Sequence, residues 1–128
     1  MMTLEETELE LNRLVDSLPQ EIFFELNGGV LLKEEVKLSK NRVADDLYVL
    51  GEYHRDHILG RYIVIYYGSM LKVYPNINHE HFVDKLDEVL KHELTHHLES
   101  RANERDLEIE DERTLKNYYE RHAQRDDI

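Results

Sequence analysis

His92 and His96 stand four residues apart, with Glu93 directly after the first, in the run His92-Glu93-Leu94-Thr95-His96. On an α-helix, residues i and i+4 lie one above the other on the same face, so two imidazoles at this spacing can share one metal ion. Glu93 is turned about 100° away around the same helix. From there its carboxylate reaches a water beside the metal without being a ligand. This is the chemistry of zinc-assisted hydrolysis: two neutral imidazoles hold one Zn²⁺, and the glutamate takes a proton from the attacking water. A random shuffle of so His- and Glu-rich a chain contains HExxH roughly 7% of the time, so the five letters need support from their surroundings.

The helix that must carry them supplies it. Asn76 or Asn78 starts a helix that runs through Arg101, with Asn103 as the residue that stops it. With His92 at 0° and about 100° per residue, Val89, Phe82, Leu86, Leu90 and Val83 fall on one arc between about 60° and about 180°. That arc is the face that packs on the rest of the protein. Glu93 lies inside it at about 100°, where a carboxylate is expensive unless something pairs with it. His92 and His96 lie at its edge, between core and solvent. His97, at about 140°, reads as a packed and hydrogen-bonded histidine rather than a ligand. His54 and His57 read as flanking a surface turn, and His79 and His81 as solvent-facing residues at the start of the helix.

Around this helix the pattern is α+β. Thr3 to Leu18 repeats apolar residues at helical spacing, with Thr3 and Glu6 placed as a capping box. Pro19 starts a short helix through Phe23, Phe24 and Leu26, ended by Asn27-Gly28-Gly29. Val30–Leu32 and Val36–Leu38 suggest a strand region, and Asp46–Tyr53 a second strand broken by Gly51. Arg61–Tyr67 is the strongest strand signal, closed by Gly68-Ser69. Met70–Val73 forms a helical turn before Pro75, and Leu107–His122 a final, highly charged helix.

The 128 residues suit one domain, residues 1–128. The net charge of −12 argues against nucleic acid and against anionic lipid surfaces as partners. Absence of cysteine excludes disulfides, thiolate metal sites and a cysteine nucleophile. The N-terminal residues, with Glu5, Glu6, Glu8 and Glu10, carry no apolar run, so neither a signal peptide nor a membrane span is expected there. A cytoplasmic protein acting on a peptide or protein substrate is the expectation.

Three segments in order, Leu50-Gly51-x-Tyr53, Ile63-x-Ile65-Tyr66-x-Gly68 and Val89-x-x-His92-Glu93-x-x-His96-His97, resemble the small bacterial zincin-like metallopeptidase family. The resemblance runs from about Leu47 to Leu98. It implies a zinc-dependent peptidase on a zincin-like fold: a small mixed β-sheet packed on a long HExxH helix, flanking N- and C-terminal helices, and an edge strand along the cleft. The sequence departs from that family after His96. The family continues HExxHxxGxxD, but here Glu99 stands at the glycine position and Ala102 at the acid position, where no ligand is possible. Two readings of the third ligand stay open. Glu99 lies beside both histidines on the wheel. Alternatively the turn moves to Asn103, and Asn103-Glu104-Arg105-Asp106 makes Asp106 the ligand, with Glu104 and Glu108 as further candidates. An extended peptide is expected to pair antiparallel along Tyr62–Tyr67, where Tyr66 or Tyr67 donates a hydrogen bond to an oxyanion. The rival expectation is a non-catalytic zinc-binding or regulatory protein on the same scaffold, acting through a protein partner. The acidic tail helix and the missing glycine motif favour it.

Overall fold

A computed structural model describes residues 1–41 and 47–126. The architecture is α+β: α1 (Leu4–Ser17), a 3₁₀ turn (Gln20–Phe23), β1 (Gly29–Lys33), β2 (Gly51–Asp56), β3 (Gly60–Tyr66), α2 (Tyr67–Val73) and the long α3 (His79–Asp126). The chain forms two compact units, Met1–His97 and Leu98–Ile128. The expected strand at Val36–Leu38 is reduced to one bridge, Leu38 to Tyr48. Gly51 opens β2 rather than breaking it. Asp46 of the expected second strand lies outside the described residues.

The three strands form a mixed sheet in the order β1-β3-β2, with β1 parallel and β2 antiparallel to β3. The expectation of an edge strand at Tyr62–Tyr67 is therefore corrected: β3 is the centre, and β2 is an edge. The reason is visible in its side chains. Ile63 and Ile65 are fully buried on one face, while Val64 and Tyr66 are buried on the other. A strand apolar on both faces belongs in the middle of a sheet.

The core of the first unit lies between β3 and α3. Ile63 and Ile65 meet Phe82, Leu86, Leu90 and Leu94, with Leu11 of α1, Met70 of α2, Leu26 and Met2 closing the cluster. Phe82, Leu86 and Leu90 are the helix positions whose spacing marks the packing face. Burying each such side chain contributes about 1.5–3 kcal/mol. At the N-terminus the Thr3 side chain accepts from the Glu6 N–H while the Glu6 carboxylate accepts from the Thr3 N–H, the capping box expected from the sequence. Asn78 caps α3, its Oδ1 accepting from the His81 N–H at 2.8 Å.

α3 does not stop at Asn103, and no separate helix begins at Leu107. Between His79 and Asp126 there is neither Gly nor Pro, and one Asn inside a helix costs well under about 1 kcal/mol. No helix among the described residues is long and apolar enough to cross a membrane.

Candidate metal centre

α3 delivers the three residues of the motif to one place. The His92 and His96 Nε2 atoms are 3.2 Å apart, with the rings nearly perpendicular at 88°. The Glu93 Oε1 atom is 3.9 Å from His92 Nε2. One ligand atom from each of the three residues lies within 4.8 Å of the others. The donor set fits zinc: two nitrogens at about 2.0–2.1 Å from a tetrahedral ion stand about 3.3–3.4 Å apart. Both histidines are exposed and reachable from solvent.

Glu93, by contrast, is only 6% exposed, as its place on the apolar arc requires. Burial pushes its carboxyl above the usual carboxylate range, and the neighbouring His96 and His92 pull it back only in part. The burial depends on Gly51. A Cβ at that position would stand 2.8 Å from Val89 Cγ1 and 3.2 Å from Glu93 Cγ. Only a strand lacking a side chain there can close over the carboxylate. The sequence placed Gly51 in a strand without showing this contact.

Two residues along β2, Tyr53 reaches the same helix. Its hydroxyl is 2.8 Å from Nδ1 of His97, whose Nε2 is 2.8 Å from the Phe24 carbonyl oxygen. A carbonyl oxygen only accepts, so Nε2 carries a proton and donates it to Phe24. His97 is fully buried between these two partners. It fastens β2 and the Phe24 turn to α3 next to His96, which fulfils the packed role its wheel position suggests.

A cleft of about 450 Å³ opens beside His92, lined by Tyr48, Val49, Leu50, Gly51, Tyr74, Glu88, Val89, His92 and Glu93. The two tyrosines expected at an oxyanion are occupied elsewhere. Tyr66 donates to Glu52 on the sheet face away from Ile63 and Ile65, with Lys37 close by. Tyr67 begins α2 and donates to the Met2 carbonyl at 2.6 Å. His54 lies within β2, stacked on Tyr62, and His57 follows it in the turn. His79 and His81 are exposed at the start of α3.

Glu99 is exposed on α3 and belongs to the second unit. Asn103 lies inside the helix, so the turn required by the alternative reading is not formed there. The Asp106 and Glu108 side chains lie outside the described residues.

The chain matches no protein-family profile and no curated protein. Among solved structures it is similar to a conserved hypothetical protein from Thermus thermophilus, with 30% sequence identity and a TM-score of 0.67. The match covers 80% of this chain and 99% of the other.

Proposed function

The chain belongs to the same family as the conserved hypothetical protein of Thermus thermophilus, and on the strength of its site we propose a zinc-dependent peptidase of zincin-like fold. One observation carries the reading: two imidazole nitrogens 3.2 Å apart at the mouth of a cleft, with a buried carboxylate beside them. His92 and His96 would hold one zinc ion through Nε2. Zinc bound there supplies Lewis acidity, which polarises a carbonyl and acidifies water.

The remaining work falls to the chain itself. Glu93 accepts the proton of the attacking water and returns it to the leaving amine. Its buried carboxylate has a raised proton affinity, which suits a base that must next serve as an acid. The β2–β3 ladder is hydrogen-bonded at Leu50 and Tyr66, so by alternation Gly51 and Tyr53 turn their backbone groups to the outer edge of β2. An extended peptide pairs there as an added antiparallel strand, with its backbone laid past Glu93. Absence of cysteine suits the cytoplasm as the compartment.

Tag-free protein should purify with close to one zinc per chain and cleave members of an extended-peptide library. Glu93→Gln should keep the zinc and lose cleavage by about two to four orders of magnitude, the usual worth of a general base. Undiminished cleavage by that variant would overturn the mechanism. Stoichiometric zinc without cleavage of any peptide would favour the regulatory reading instead.

A further inference from the structure

The cleft beside His92 lies at one end of the metal centre, and two contacts fix which end. Gly51 lies against Val89 and Glu93. Tyr53, further along β2, reaches His97, one helical turn after Glu93. β2 and this stretch of α3 therefore run in the same direction. The cleft is lined by Tyr48, Val49 and Leu50 from the segment before β2, and by Glu88 and Val89, which precede His92 on α3. A peptide paired antiparallel to β2 runs the opposite way. It crosses the metal centre first and reaches the cleft with the residues C-terminal to the bond being cut.

The walls say what enters. At about 450 Å³ the space admits any side chain, so chemistry selects rather than size. Tyr48 and Tyr74 stand there with Val49, Leu50 and Val89. An aromatic side chain has the most apolar surface to bury against such walls, and paired aromatic rings gain beyond their area. Charged side chains fare worse. The lining includes Glu88 and Glu93 and no Lys or Arg, so an incoming carboxylate meets only like charge. A cation meets a place already taken. Lys85 Nζ bonds Glu88 at 3.4 Å and also lies over the Tyr74 ring, 5.7 Å from its centroid.

Successive side chains of an extended peptide point to opposite faces, so either the first or the second residue after the scissile bond turns toward α3. We propose that this cleft is the specificity subsite for a Phe, Tyr or Trp side chain at that position, and that Lys85 keeps basic side chains out of it. This rests on the peptidase reading, since that reading lays the peptide on β2.

The test is equilibrium binding to the full chain carrying Glu93→Gln, which prevents turnover. The probes are labelled extended peptides in which one Phe, Ala, Lys or Glu is scanned along an uncharged sequence. At one position Phe should bind about tenfold tighter than Ala, a difference of about 1.4 kcal/mol, with Lys and Glu no better than Ala. Tyr74→Ala should remove most of the Phe advantage, and Tyr74→Phe should keep it. Lys85→Ala should tighten the Lys peptide about threefold by freeing the Tyr74 ring and Glu88, and leave the Phe peptide unchanged. No Phe advantage at any position, or one that survives Tyr74→Ala with an unchanged circular dichroism spectrum, overturns the subsite. So does a Lys peptide that Lys85→Ala leaves unmoved, and this variant decides alone if Tyr74→Ala does not fold. Cleavage by the parent with no aromatic preference after the cut overturns the subsite alone. Tyr74-dependent binding of the Phe peptide without any cleavage overturns the peptidase reading alone, and neither binding nor cleavage overturns both.

Discussion

His92 and His96 are exposed, whereas Glu93 and His97 between and beside them are buried, so neighbouring residues of one helix should answer mutation in opposite ways. His92→Ala or His96→Ala removes a solvent-facing ring and should change stability by less than about 0.5 kcal/mol while abolishing zinc binding. His97→Ala opens a cavity and strands both the Tyr53 hydroxyl and the Phe24 carbonyl, at a cost of about 2–4 kcal/mol. Tyr53→Phe removes only the hydroxyl and should cost about 1 kcal/mol. Gly51→Ala forces a methyl against Val89 and Glu93 and should cost about 1–3 kcal/mol, with loss of cleavage as β2 lifts away from the carboxylate. Urea denaturation with a parallel zinc titration checks all of these. A His97→Ala variant as stable as the parent would show that the Tyr53–His97–Phe24 bridge holds nothing.

Between elements, the outer face of the sheet is tied by the Lys37, Glu52 and Tyr66 side chains, which join the segment after β1 to β2 and β3. Burial pushes the Glu52 carboxyl up, but hydrogen bonds from Lys37 and Tyr66 outweigh it and hold the group below its ordinary value of 4.5. The bond to Glu52 raises Lys37. Burial, reinforced by the bond to Glu52, pushes the Tyr66 phenol from 10.0 up to about 12. The stability that Glu52 contributes is thus present above its unfolded value and lost as pH falls through its lower folded one. The Tyr66 contribution runs the other way, present below pH 10 and lost as pH rises toward about 12, with Lys37 adding to the alkaline loss. Thermal midpoints of Glu52→Gln should therefore fall less than the parent's in acid, and those of Tyr66→Phe less in alkali. Midpoints that run parallel at every pH would remove the cluster from the account. This cluster could not be foreseen, because alternation along a strand tells which residues share a face but not which strand is the neighbour. The same gap explains the misplaced edge: the apolar run from Ile63 to Tyr66 marks a strand, and only its burial on both faces marks the central one. The helix was the more legible element, since Phe82, Leu86, Leu90, Glu93 and His97 declare their face by spacing alone. Its end was not, because Asn103 is a weak stop signal that an uninterrupted helix former on either side overrides.

For the molecule as a whole, the net charge of −12 and the two exposed histidines have a joint consequence. An acidic surface accumulates divalent cations loosely and without geometry, so a general effect of zinc must be separated from a site. A site binds the folded chain alone, because the 3.2 Å approach of two imidazoles exists only while the helix does. Zinc at about one hundred times its dissociation constant should then stabilise the fold by about 2.7 kcal/mol. The denaturation midpoint should rise to match in the parent and in Glu93→Gln, and return on adding a chelator. It should not rise in His92→Ala or His96→Ala, which keep nearly all of the acidic surface. Magnesium, which prefers oxygen ligands in an octahedral arrangement, should leave all four proteins unchanged. An equal shift with zinc in the histidine variants would assign the effect to diffuse surface charge and take the metal centre away from His92 and His96.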